Sequence, residues 1–166
     1  MQFDNIVDKG SWCVSSAELD HGINTFWQSK GASPHTIEVH FSKKQIISSV
    51  GIYLCYTGDT TYSPLLVSIL YGDDGVQYQE FKTCTIGEIN GWYTIETVKD
   101  NHPLTAFSLQ IVIHEMHLNG KNTRIRQIRI LSPHILSEVR KPHTEATDES
   151  LFQFQSIRCL VSIKHE

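Results

Sequence analysis

Cysteine is scarce in this sequence and poorly placed for chemistry. Cys13, Cys55, Cys84 and Cys159 never fall into C-x-x-C spacing, which excludes a zinc knuckle or redox pair of that kind. No Asn begins an N-x-Ser/Thr sequon, and Met1-Gln2-Phe3-Asp4-Asn5 offers no basic region followed by an apolar run, so no secretory signal is expected. The cysteines then read as reduced thiols of a chain in the nucleus and cytoplasm; two disulfides in an exported chain are the alternative. No stretch approaches the ~18 consecutive apolar residues of a membrane helix, and no membrane partner is expected. Basic charge is short as well. Lys and Arg number 14 against 18 Asp and Glu, a net of −4, whereas a dedicated nucleic-acid binder would show a basic footprint in that total. Ala and Leu together number only 16, which leaves little material for long helices.

What is plentiful is β-branched. Ile and Val together number 28, with 13 Thr, and such stiff side chains suit pleated sheet. Alternation recurs at about ten-residue spacing between polar turns. Ile37, Val39 and Phe41 alternate with Glu38 and His40. Ile46 to Tyr56 places Val50, Ile52 and Leu54 on one face, and Leu65 to Tyr71 follows the Thr57-Gly58-Asp59 turn. Tyr78 to Thr85 and Trp92 to Thr97 are separated by Asn90-Gly91. Ala106 to His114 aligns Phe107, Leu109, Ile111 and Ile113, and Ile125 to Leu131 is closed by Pro133. Seven or eight short strands without a long helix predict an all-β sandwich or jelly roll. The segment before Thr25 is expected to be irregular or a single helical turn.

The composition shifts after Pro133. A domain is expected over residues 1–136, followed by a polar linker over 137–150 that has no aromatic residue. Hydrophobicity returns over 151–166 with Leu151, Phe152, Phe154, Ile157, Leu160, Val161 and Ile163. That segment either packs on the domain as a last strand or helix, or docks into another protein.

Few residues point to catalysis. His114-Glu115-Met116-His117 lacks the second histidine of H-E-x-x-H and sits at a strand end, where its side chains face different ways. His35 and His40 have no carboxylate or thiol at ligand spacing, and there is no G-x-S-x-G, P-loop or G-x-G-x-x-G. Scattered carboxylates give no way to select a glycosidase pair. No metal, cofactor or catalytic residue is expected. Lys121, Arg124, Arg126 and Arg129 form a basic run in which 124 and 126 share a strand face and 129 takes the other. A solvated face is one reading, contact with an anion or acidic peptide the other. Trp12, Trp27 and Trp92 are expected in or at the edge of the core. Three polar loops, Asn24 to His35, Thr57 to Ser63 and His114 to Thr123, have the composition of a hydrogen-bonding recognition surface at one end of a sandwich. The residues alone thus describe a β-sandwich binding module.

One of those loops carries a resemblance. Thr25-Phe26-Trp27-Gln28-Ser29-x-Gly31-x-x-Pro34-His35 is similar to the signature of the DOC-domain family, subunit 10 of the anaphase-promoting complex. Further matches follow in chain order: Trp12-x-Val14-Ser15-Ser16, Tyr62-Ser63-Pro64, Gly91-Trp92, Asp100-Asn101-His102, and Asn119-Gly120-x-x-Thr123-x-x-Arg126-Gln127-Ile128. The resemblance covers about Trp12 to Pro133, and Phe154 to Arg158 is similar to the family's tail. It implies a galactose-binding-like jelly roll with no catalysis of its own. It implies a co-receptor, formed with a WD40 coactivator, for the destruction box of cell-cycle substrates, in a ubiquitin ligase whose other subunits transfer ubiquitin. The positions matching the family's degron site are Tyr62, Ser63, His117, Asn119, Gly120, Asn122 and Thr123. Phe154, Ile157 and Arg158 match the segment that docks into a tetratricopeptide-repeat subunit, across a linker at most about 50 Å long.

Departures from the family pattern are visible. Lys30 stands where an acidic residue is usual, and Asn122 and Arg124 replace Asp and His. The stretch between Ser16 and Thr25 is short. Cys159 to Glu166 follow Ile157-Arg158, so docking could use that pair internally, shift to Ile163-Lys164, or give way to a tail packed on its own domain. The other function class that this fold admits is an intracellular carbohydrate-binding module.

Overall fold

Alternating β-branched residues build two facing sheets. The computed structural model describes residues 2–16, 26–73, 77–134 and 161–163. Its strands are β1 (Phe3–Asn5), β2 (Gly10–Val14), β3 (Trp27–Gln28), β4 (His35–Ile47), β5 (Ser49–Cys55), β6 (Pro64–Gly72), β7 (Gln79–Thr85), β8 (Asn90–Glu96), β9 (Val98–Lys99), β10 (His102–Met116), β11 (Arg124–Ile125), β12 (Gln127–Pro133) and β13 (Val161–Ile163). One sheet has the order β1-β12-β5-β8. The larger runs β13-β2-β4-β10-β6-β7, with β9 also on β10, and β11 pairs with β3 in a small ribbon. Every pairing is antiparallel except that of β13 with β2, where Val161 lies opposite Trp12 and Ile163 opposite Val14. This is the jelly-roll sandwich expected from the strand pattern.

The core fills the space between the sheets. Ile37, Val39, Ile69, Leu109, Ile111 and Ile113 come from the larger sheet, and Val50, Ile52, Ile95, Ile128 and Ile130 from the smaller; all are buried. Each such side chain contributes about 1.5–3 kcal/mol relative to exposure. The chain changes sheets at Ser48. There Thr97 donates its hydroxyl to the Ile47 carbonyl at 2.8 Å, and the Ser48 amide donates to Leu131 at 2.7 Å. A corner that bends the backbone out of both ladders needs such replacement partners.

Several expectations change. Ile46 and Ile47 belong to β4, opposite Thr105 and Leu104 of β10, so the 46–56 run is two strands meeting at a corner. Over its described residues 2–16 the N-terminal segment holds the expected helical turn, at Val7–Lys9, but its remainder is not irregular: β1 pairs with β12 and β2 with β4. Phe107 does not share the core face of Leu109, because the register shifts between Ala106 and Ser108. Across that step β4 advances five residues, Gln45 to His40, while β10 advances two, and on β10 the buried side passes from Ala106 to Leu109, leaving Phe107 exposed. Trp12 and Trp27 are buried as expected, but Trp92 is 36% exposed. The linker 137–150 and Phe154, Ile157 and Arg158 lie outside the described residues, as do Thr25 and Cys159.

Candidate functional site

The three polar loops meet at one end of the sandwich through hydrogen bonds that cross between them. Ser29 and Thr123 are tied twice: the Ser29 amide donates to the Thr123 carbonyl at 3.0 Å, and the Thr123 amide to Ser29 Oγ at 2.8 Å. The Thr123 hydroxyl donates to the Tyr62 carbonyl at 3.1 Å, and the His117 amide to the Ser63 carbonyl at 3.0 Å. His35 Nε2 lies 2.8 Å from the Lys121 carbonyl, and His117 Nε2 lies 3.0 Å from that of Ile86. Gly120 is held against the opposite loop so closely that a Cβ there would collide with the Thr61 carbonyl oxygen. These contacts bring backbone from distant parts of the chain into one rigid surface.

Asp59 anchors that surface. Its carboxylate is 3% exposed and takes Arg124 Nη1 at 3.0 Å on one oxygen and Arg126 Nη2 at 2.7 Å on the other. The Arg124 guanidinium lies between two rings, 4.4 Å from the Phe26 centroid and 4.0 Å from that of Tyr62, and its Nε donates to Gln28 Oε1 at 2.6 Å. Two cations on one buried carboxylate satisfy the desolvated charge and fix its neighbours in place. The basic run is therefore neither a solvated face nor a free anion site at these two positions. Arg129 points away, on the outer face of the smaller sheet, as its strand parity required. At the rim, Tyr56 donates to Glu88 at 3.1 Å and packs edge-on to His117. Burial, then the Glu88 carboxylate, raise the Tyr56 phenol above its ordinary pKa.

All seven residues matched to the family's degron site lie at this end, but with different exposure. Ser63 and Thr123 are buried, with hydroxyls committed to the Asp59 and Tyr62 carbonyls. Asn119 is exposed, and Tyr62, His117, Gly120 and Asn122 are half-buried. A cleft of about 580 Å³ is lined by Leu65, His114, Met116, Leu118 and Asn119 among others. A second, of about 620 Å³, runs along Gly31, Ala32, Lys121 and Asn122. Ser33 and Gly120 border both. In the first cleft the loop presents Leu118, 68% exposed, with left-handed backbone at Leu118 (φ 53) and Asn119 (φ 56). The surface offers amide, hydroxyl, imidazole and carbonyl groups beside the apolar side chains of Leu65, Met116 and Leu118. That composition suits an extended polar ligand. Sequence reasoning missed Asp59, Phe26 and Leu118. Asp59 had read only as turn chemistry, and nothing near it in sequence signals arginines that lie 65 and 67 residues away.

Comparison with known proteins supplies the family. Residues 3–156 match the family model described as anaphase-promoting complex, subunit 10. The chain is 32% identical over 163 residues to anaphase-promoting complex subunit 10 of Homo sapiens, covering 92% of this chain and 87% of that protein. It is 36% identical over 144 residues to the Schizosaccharomyces pombe subunit 10, covering 80% and 76%. Among solved structures it is similar to a family 32 carbohydrate-binding module of the Clostridium perfringens protein NanJ in complex with galactose. There the TM-score is 0.64 at 21% identity, covering 79% of this chain and 100% of that one. The last likeness establishes the galactose-binding-like fold and nothing about the ligand.

Proposed function

The chain belongs to the anaphase-promoting complex subunit 10 family, and on that premise we propose that it is the complex's substrate-recognition subunit, reading destruction-box peptides with the loop end described above. A WD40 coactivator supplies the other half of the receptor, and the paired contact lengthens substrate dwell so that more ubiquitins are added per encounter. A weak second contact on a tethered peptide acts through effective concentration and slows release. The observation that carries this reading is the union of three loops into one rigid polar surface with Asn119 and Asn122 beside open clefts. Exposed and half-buried groups contact the peptide: Asn119, with Tyr62, His117, Asn122 and the backbone at Gly120. Ser63 and Thr123 hold the loops from below. Phe154, Ile157 and Arg158 anchor the subunit to a tetratricopeptide-repeat scaffold, and the protein works in nucleus and cytoplasm.

The test is the double variant Asn119→Ala, Asn122→Ala in a reconstituted ligase. Each hydrogen bond lost to the peptide is worth about 0.5–1.5 kcal/mol, whereas exposed loop substitutions cost the fold under about 0.5 kcal/mol. Ubiquitin chains per encounter are expected to shorten with the melting temperature unchanged. Wild-type processivity in a folded double variant would remove the loop end from substrate recognition.

A further inference from the structure

A second built surface lies on the outer face of the smaller sheet. Tyr53 of β5 stands directly opposite Trp92 of β8, with ring centroids 5.3 Å apart and nearly perpendicular. In the next rung on this face, Arg129 of β12, Gly51 of β5 and Thr94 of β8 lie in line across the strands. Arg129 reaches over Gly51 to the edge strand. Its Cζ sits 4.4 Å from the Trp92 centroid, and Nη2 donates to Thr94 Oγ1 at 3.2 Å. Reaching the edge strand means crossing two interstrand spacings of about 4.8 Å, which requires the side chain to lie flat. It lies flat because residue 51 has no side chain: a Cβ there would stand 2.6 Å from Arg129 Nε.

Among the described residues the guanidinium meets no carboxylate. The Lys and Arg ion pairs among the described residues are Lys44 with Asp73 and the two arginines on Asp59. Arg129 Nε is buried without an acceptor. A cation already oriented, stacked and partly desolvated has met much of the ordering cost of binding. Trp, Tyr and Arg are also the residue types that dominate protein interfaces. Phe3, opposite Pro133 at the far edge of this sheet, adds a further exposed ring.

We propose that this face is a subunit-docking surface, at which Arg129 receives a carboxylate of a neighbouring subunit of the complex while Trp92 and Tyr53 pack around it. Charge complementarity fixes the chemistry of the occupant: an acidic side chain within an apolar surround. Because the guanidinium lies over the Trp92 ring, the group offered outward is a cation rather than a bare aromatic plane, which favours a carboxylate over a sugar. The surface is separate from the peptide-binding loops, so either reading can fail without the other.

The experiment adds the full chain to purified anaphase-promoting complex lacking subunit 10 and measures retention by size-exclusion chromatography and surface plasmon resonance. Arg129→Glu and Trp92→Ala are each expected to lower affinity about tenfold or more. Arg129→Lys should lose less, because an ammonium keeps the charge but not the planar fork. Arg129→Glu stands alone should Trp92→Ala fail to fold, and a melting curve for each variant separates the cases. Retention of folded Arg129→Glu at the wild-type level overturns the proposal while leaving the peptide-binding reading intact. Failure of the wild-type chain to enter the complex overturns both. Concentration-dependent dimerisation of the isolated chain that Arg129→Glu abolishes would assign the face to a second copy. Galactoside binding abolished by Trp92→Ala would assign it to sugar. Either result overturns the proposal.

Discussion

Two arginine–aromatic clusters sit on this molecule and differ in one component. At the loop end Arg124 lies between Phe26 and Tyr62, with Asp59 beneath it. On the smaller sheet Arg129 lies on Trp92 with only a hydroxyl for company. The stacking geometry is alike; the carboxylate is present in one and missing in the other. A cation–π contact is worth about 0.5–2 kcal/mol in either place, so stacking alone does not separate the roles. The buried carboxylate does. It turns the first pair into scaffold, since its arginines are committed inside the chain, and its absence leaves the second cation to an external partner.

The largest effect should come from removing that carboxylate. Asp59→Ala leaves two partly buried arginines facing each other without their shared partner. Deleting one member of a buried ion pair costs about 3 kcal/mol or more, and chemical denaturation should show it. The loops should loosen in the same variant and processivity should fall, while Arg129-dependent retention in the complex persists in the folded fraction. A loss below about 1 kcal/mol would make the two clusters energetically alike and break the contrast.

A smaller effect is expected at Gly51, on the other side of the comparison. Gly51→Ala places a methyl where Arg129 crosses β5, within 2.7 Å of its Cγ. Overpacking ordinarily costs about 1–3 kcal/mol, and a flexible arm that can lift away sets the cost near the lower end. Lifting the arm also breaks its stacking on Trp92. Gly51→Ala should therefore reproduce much of the assembly defect of Arg129→Glu with the charge still in place. Normal assembly with a displaced side chain would show that flat packing is unnecessary.

The legibility of these two regions differed for physical reasons. The buried faces of β5 and β12 could be read from alternation, because Val50, Ile52, Leu54, Ile128 and Ile130 have period two and are all buried. The irregularity at Phe107 could not, since it lies in how the strands pair, five residues of β4 against two of β10, and the apolar pattern of β10 alone carries no trace of that. The exposure of Trp92 was readable and was missed: it shares its strand face with Thr94 and Glu96, which are polar. At the loop end, the family signature located the loops, and composition marked them as recognition surface. The pairing of Asp59 with Arg124 and Arg126 left no local trace, because it depends on the topology that folds residue 59 beneath residues 124 and 126.

Strain is the third difference between the regions, and its prediction is the smallest in stability terms. The smaller sheet has positive φ only at Gly91, where no side chain objects. The loop end holds Leu118 at φ 53 with its side chain 68% exposed. A left-handed backbone costs a non-glycine residue about 1–2 kcal/mol, and glycine in exchange adds about 0.5–1 kcal/mol of unfolded-chain entropy. Little apolar burial is lost with so exposed a side chain. Leu118→Gly should then leave stability within about 1 kcal/mol of wild type, on the stabilising side. Leu118→Ala keeps the strained backbone and should be no more stable than wild type. Both remove the exposed aliphatic group that lines the first cleft, so both should shorten ubiquitin chains per encounter, and by similar amounts. If Leu118→Gly is processive and Leu118→Ala is not, the defect belongs to the backbone and not to the missing side chain. If both are processive, Leu118 makes no contact with the peptide, and recognition at this end rests on the polar groups of Asn119 and Asn122.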